Sequence, residues 1–166
     1  MVLALSTFTN AQLAQKLGYV DSEVILKQLP EAIKAQGELD ALIQKWNTQV
    51  DSMTMVLQKA YADYQKQEAT MAEPKKREIQ QNLLAKQQEI EEFRRGKFAQ
   101  GSGEIFQKQE ELLKPVKEKV MKMIEVVAKE EGMNFVFDKT GDILLLYADT
   151  AFDITFKVLD SLKRGK

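Results

Sequence analysis

"NFVFDKTGDILLLYAD", residues 134–149, is an apolar stretch broken once by a turn. It follows a long run of charged, helix-favouring sequence, where pattern rather than propensity must identify the element. Phe135, Val136 and Phe137, then Ile143, Leu144, Leu145, Leu146 and Tyr147, predict two strands of a hairpin joined by the glycine-containing turn "DKTGD". Its residues are apolar on both faces instead of alternating apolar and polar, so both faces need cover. What covers the second face decides the fold.

Upstream, Gly132 is placed to end a helix as its C′ residue. Downstream, Thr150 and Asp153 form a capping-box-like pair, predicting a last helix with Phe152, Phe156, Leu159 and Leu162 on one side. At the front of the chain, "KLGYVD" (16–21) is a short strand candidate. Asp21 and Ser22 after it are both good N-caps for the brief helical stretch "EVILKQL". Pro30 then restarts the helix, with Glu31 beside it.

From Pro30 to about Thr70 nearly every residue is a strong helix former. Leu39, Ile43, Trp46, Val50, Met53, Leu57, Ala60 and Tyr64 step by four and three, the heptad seam of a coiled coil. Around "TMAEPKK" the chain reverses, because Pro74 cannot continue one helix but sits comfortably at the start of the next. The return helix carries Ile79, Leu83, Ile90 and Phe93. It is loosened by Gly96, Gly101 and Gly103, where a bend or short break is expected and the arm can flex. The pattern resumes with Leu113, Val116, Val120, Met123 and Val127, with Pro115 inside it, so a kink is tolerated there or a helix begins nearby.

The order β, long helical hairpin, β, β, helix places a strand at each base of the hairpin, so "LGYVD" pairs with "NFVFD" or its neighbour. A helix of ~40 residues reaches roughly 60 Å at 1.5 Å per residue, too far to fold back over a small sheet. The last helix can cover one sheet face. The other is expected to meet copies of itself, since each buried Phe, Leu or Ile side chain contributes about 1.5–3 kcal/mol. This makes an α+β fold with a small oligomerisation body and a long antiparallel coiled-coil hairpin arm. Leu17, Tyr19, Phe135, Phe137, Leu144 and Leu146 are the candidate oligomerisation residues.

Composition narrows the function. The 166 residues, 44% hydrophobic and 30% charged, suit a single modest domain. With 24 basic and 25 acidic residues the net charge is −1, which supplies no positive field for nucleic acid. Cysteine and histidine are absent, removing disulfides, thiolate nucleophiles, the usual general base and the commonest metal ligand. No cofactor, metal or catalytic residue is expected. "DKTGD" lacks calcium-loop spacing, and the "GSG" of residues 101–103 lacks the strand and the Lys-Ser/Thr of a phosphate loop, so both are read as breaks in regular structure.

Residues 1–15, "MVLALSTFTNAQLAQ", resemble the end of a secretory signal, with Thr9 and Ala11 at the −3 and −1 positions of a cut before Gln12. No basic region precedes the apolar run, so a disordered N-terminus is the alternative. Export is the reading adopted. No other apolar stretch approaches the ~20 residues of a membrane span.

The element order, with "KLGYVDSEVILKQLPEA" in front, "MAEPKKREIQ" at the arm tip and "GMNFVFDKTGDILLLYADTAFDITFKVLDSL" at the end, resembles the Skp/OmpH family of periplasmic chaperones. The similarity runs from Lys16 to Leu162 and is most specific in the C-terminal pattern. It implies a jellyfish-shaped homotrimer. Residues 16–29 and 130–166 would form a β-barrel-like body and residues 30–129 the arm. Three arms would enclose a cavity holding unfolded outer-membrane β-barrel proteins without ATP. The best-known members are strongly basic whereas this chain is nearly neutral, so no lipopolysaccharide-binding residues are carried over.

Met53, Met55, Tyr61, Tyr64 and Met71 are the candidate client contacts, since Met adapts its shape and Tyr is amphipathic. The competing structural reading is that seam residues such as Leu57 and Ile79 only zip the helices together. "PKKR" (74–77) offers weak contact with an anionic membrane surface, against the plainer role of keeping the tip soluble. Two rivals share parts of the pattern. A prefoldin-like cytosolic chaperone has strands between its helices, whereas here the hairpin interrupts the strands. A structural coiled-coil tether would have a dry, closed seam.

Overall fold

The computed structural model describes residues 15–141 and 145–165. Of these, the residues up to Leu29 with those from Lys119 onward make one compact unit, and Pro30–Glu118 make another.

In the first unit, β1 (Leu17–Val20) and β2 (Phe135–Asp138) form a two-stranded parallel sheet, in register from Leu17 opposite Phe135 to Val20 opposite Asp138. Asn134 N–H donates to Lys16 O at 2.8 Å and Lys139 N–H to Val20 O at 2.7 Å, extending the pairing at both ends. On the other side of β1, Ile154 N–H donates to Tyr19 O at 3.0 Å, and Tyr19 bridges Asp153 in parallel. Helix α1 (Ser22–Gln28) is capped by Asp21, whose Oδ1 accepts from Val24 N–H at 2.9 Å. Gly132, at φ 64°, turns the chain before β2. The core of this unit includes Val20, Ile25, Leu29, Ile154, Val158, Leu159 and Leu162, all buried.

The expected hairpin is corrected. Residues 145–149 are not a strand, and residues 142–144 lie outside the described residues. A strand needs a ladder partner; the sheet has β1 and β2 as its two strands, and 145–149 runs past it as irregular chain.

The last helix also differs in detail. Helix α5 runs Thr155–Arg164 and buries Thr155, Val158, Leu159 and Leu162, whereas Phe156 is 68% exposed and Phe152 is 42% exposed. The phenylalanines were expected on the inner face. The start is set differently: Asp149 caps a 3₁₀ turn, Thr150–Phe152, and Asp153 Oδ1 accepts from Thr155 N–H at 2.8 Å, which rotates Thr155 inward in place of Phe156.

In the second unit, α2 (Pro30–Gln67) is 38 residues long, and a 3₁₀ turn (Glu68–Thr70) leads to α3 (Glu73–Phe98). Contacts between Tyr64 and Gln80 near the turn, and between Trp46 and Phe98 farther from it, set the two helices antiparallel. The periodic residues of α2 are its sheltered side: Leu39, Trp46, Val50 and Tyr64 are buried and Ile43, Met53, Leu57 and Ala60 partly so. Helix α3 ends at Phe98, past Gly96, and α4 (Glu104–Glu130) begins after the break at 99–103. Pro115 lies inside α4.

Candidate functional site

The two strands present different chemistry on their two faces. Side chains alternate along a strand, so Leu17, Tyr19, Phe135 and Phe137 share one face and Gly18, Val20, Val136 and Asp138 the other. On the second face a Cβ at Gly18 would come within 2.2 Å of Met133 Sδ, so glycine is what lets Met133 close over β1. The first face stays open. There an apolar cavity of about 630 Å³ is lined in part by Leu17, Tyr19, Phe137, Leu145, Tyr147 and Phe152. Leu17 is 47% exposed, Phe135 52% and Leu146 87%. An apolar cavity with exposed apolar residues near it in the chain is the ordinary mark of an interaction face.

The six candidate oligomerisation residues divide among three environments. Leu17, Phe135 and Leu146 are exposed, Phe137 is half-buried, and Tyr19 is buried. Leu144 lies outside the described residues. Tyr147 and Phe152, absent from the sequence-derived set, line the same cavity. Their signal was the apolar run itself, which alternation could not divide into inner and outer faces. Burial pushes the Tyr19 phenol above its ordinary range, and the charges of Asp153 and Asp149 push the same way. The phenol's hydrogen bond to Asp153 acts in the same direction.

A hydrogen-bonded turn closes the end of the sheet. Asp138 accepts from Ser22 Oγ at 2.5 Å, from Ser22 N–H at 3.2 Å, and from Thr140 N–H and Oγ1 at 3.0 and 2.8 Å. Burial alone would raise its pKa; the bonds from Ser22 and Thr140 outweigh burial and hold the carboxyl below its usual range. These oxygens are occupied by protein donors. Among the described residues no group of three or more acidic side chains is placed to hold a metal.

On the arm unit, Met55 is 67% exposed and Tyr61 is also exposed, whereas Met53 and Met71 are half-buried. Tyr64 is buried, its hydroxyl donating to Glu68 Oε1 at 2.9 Å and accepting from Gln80 Nε2 at 2.8 Å. Leu57, Tyr61 and Leu84 line a shallow groove of about 590 Å³ between the two helices. Leu84 and Val56 are exposed apolar residues that the seam pattern did not single out. At the tip, Lys75 pairs with Glu78 at 2.8 Å and Lys76 with Glu73 at 3.0 Å, which reduces the positive field of "PKKR". Of the three expected flexing glycines, Gly96 is helical, Gly101 has φ 74°, and Gly103 is tightly packed.

With this geometry described, the chain can be set beside known proteins. The family model for outer membrane protein (OmpH-like) matches residues 16–162. The chain belongs to the OmpH-like family. No curated protein matches it. A crystal structure from Caulobacter crescentus CB15, described as that of an OmpH-like outer membrane chaperone, superposes with a TM-score of 0.73 at 17% identity. The match covers 98% of this chain and 92% of that one. At such low identity the likeness is one of fold. For this OmpH-like chain it means that a helical arm unit plus a small β unit is a shared architecture. No helix among the described residues is long and apolar enough to cross a membrane.

Proposed function

We propose that this OmpH-like protein is a non-enzymatic, ATP-independent holdase of the periplasm, binding unfolded outer-membrane β-barrel proteins and preventing their aggregation. The observation that carries the reading is the apolar sheet face left open by its own chain, with Leu17 and Phe135 side by side upon it. Three copies joined there, through residues 16–29 and 130–166, complete a barrel-like body. The arms, residues 30–129, then surround a space. Family membership supports the reading, and so does the relative from Caulobacter, which is described as an outer membrane chaperone.

Helix α2, of 38 residues, extends about 57 Å at 1.5 Å per residue. A collapsed client of ~200 residues has a radius of gyration of about 16 Å, against about 48 Å when expanded, so arms of this length enclose only the collapsed form. Met53, Met55, Tyr61, Tyr64 and Met71 are the proposed client contacts, with the exposed Met55 and Tyr61 foremost. Flexing at Gly96, Gly101 and Gly103 adjusts the space. Release follows from mass action, as folding into the membrane removes free client. The tip touches a membrane surface weakly at most, since Lys75 and Lys76 already have partners.

Two measurements test this. Native mass should give three subunits. Purified protein at near-stoichiometric ratio should slow aggregation of a denatured outer-membrane barrel diluted from urea. A trimer that leaves aggregation unchanged would mean a tether, and a monomer would remove the assembly on which the cage depends.

A further inference from the structure

Between α3 and α4 the helical hydrogen-bond ladder stops. Ala99 N–H makes the last bond of α3, to Arg95 O at 3.0 Å. Ser102 and Gly103 N–H both turn back onto Ala99 O, at 3.3 and 2.7 Å. Gly101 is left-handed at φ 74°. A Cβ at Gly103 would sit 2.7 Å from Ala99 N and 2.8 Å from Lys97 O, so the turn is closed as tightly as glycine permits. The five residues 99–103 thus carry no continuous ladder, and side chains must supply the stiffness that the backbone does not.

One side chain spans this break. Lys97, in the last turn of α3, forms an ion pair with Glu104, in the first turn of α4. Each charge also suits the dipole of its own helix end. The same ammonium lies 5.0 Å from the centroid of the Trp46 ring on α2 and 5.6 Å from that of Phe93. Trp46 is buried and meets Phe98 edge-on, with centroids 5.9 Å apart and planes at 81°. Lys97 and Glu104 side chains are largely sheltered, so solvent screens the pair less than it screens the exposed pairs along the helices.

We propose that residues 99–103 are a hinge within the arm unit and that Lys97 is its latch, holding the ends of α3 and α4 in one arrangement against Trp46. Neutralising either charge releases the hinge without unwinding either helix. The mechanical claim stands on this geometry alone. Its use in resizing a client space rests on the holdase reading, so the experiment contains no client.

The chain has no cysteine and one tryptophan, which gives clean probes. Spin labels on cysteines introduced at the exposed Gln88 and Gln109, diluted with unlabelled protein, report the angle between α3 and α4. Trp46 emission reports its own environment. In Lys97→Met, which keeps the apolar stem, and in Glu104→Gln, the label distance distribution should broaden at least twofold and Trp46 emission should shift to the red, with helical circular dichroism unchanged. Distributions in both variants as narrow as in the parent would overturn the latch. Broadening accompanied by loss of helical signal would also overturn it, since the pair would then be holding up the helices themselves.

Discussion

Asp21 N–H donates to Thr155 Oγ1 at 2.9 Å, tying the end of β1 to the first residue of α5 across most of the chain length. Thr155 passes the bond on, its hydroxyl donating to Asp153 Oδ1 at 2.5 Å. Thr155 is a buried polar residue of this unit, and its hydroxyl is fully partnered. Thr155→Val keeps the shape and strands the Asp21 amide. It should cost about 1–3 kcal/mol, the penalty of an unsatisfied buried donor. Urea denaturation measures it, and Thr155→Ser should recover most of the loss.

Asp138 makes the β unit sensitive to acid. Its folded pKa lies below the unfolded value, so its contribution is complete above the unfolded pKa of about 3.9 and is lost as pH falls through the folded value. Unfolding midpoints should therefore drop as pH falls below about 4. Asp138→Asn should be less stable at pH 7 by about 1–3 kcal/mol, because a neutral amide replaces a carboxylate accepting several donors. It should also lose less on acidification than the parent.

On α5 two adjacent turns separate burial from exposure. Leu159→Ala, at a buried position, should destabilise the unit by about 2–5 kcal/mol. Phe156→Ala, at a position mostly in solvent, should stay within about 0.5 kcal/mol. Equal effects would mean that α5 is rotated from the orientation described.

Placing charge on exposed apolar residues of the β unit tests assembly without touching the core. Phe135→Asp and Leu146→Asp put a carboxylate on surface that is half or more exposed in the single chain. Desolvating that charge between subunits would be costly. Native mass should shift from trimer to monomer, with the circular dichroism of the helical arm retained.

Tyr64 and Tyr61 should separate structure from contact on the arm. Tyr64→Phe removes a buried hydroxyl bonded to Glu68 and Gln80, and should cost about 1 kcal/mol in arm stability. Tyr61→Ser together with Met55→Ser lies on exposed surface. It should leave stability nearly unchanged while weakening suppression of client aggregation several-fold.

Much of the architecture is local and can be read from the amino acids in order. Pro30 and Pro74 start helices because proline pre-sets the backbone of a first turn, and the step of four and three from Leu39 to Tyr64 faces one side because a helix turns every 3.6 residues. Asp21 caps its helix by a bond within three residues. What depended on contacts between distant segments was decided only in three dimensions. The run from Ile143 to Tyr147 looks like a strand, yet residues 145–149 are irregular chain, and the partner that β2 takes is β1, from more than a hundred residues away. Phe156 matches the helical period, but the Asp153–Thr155 bond sets the phase of α5 and turns it outward. Lys97, Glu104 and Trp46 carry no mark in the sequence that joins them, and only the packing of three helix segments brings a cation between a carboxylate and a ring. Periodicity and capping are properties of neighbouring residues, whereas pairing and helix phase depend on which surfaces remain free after the chain has folded.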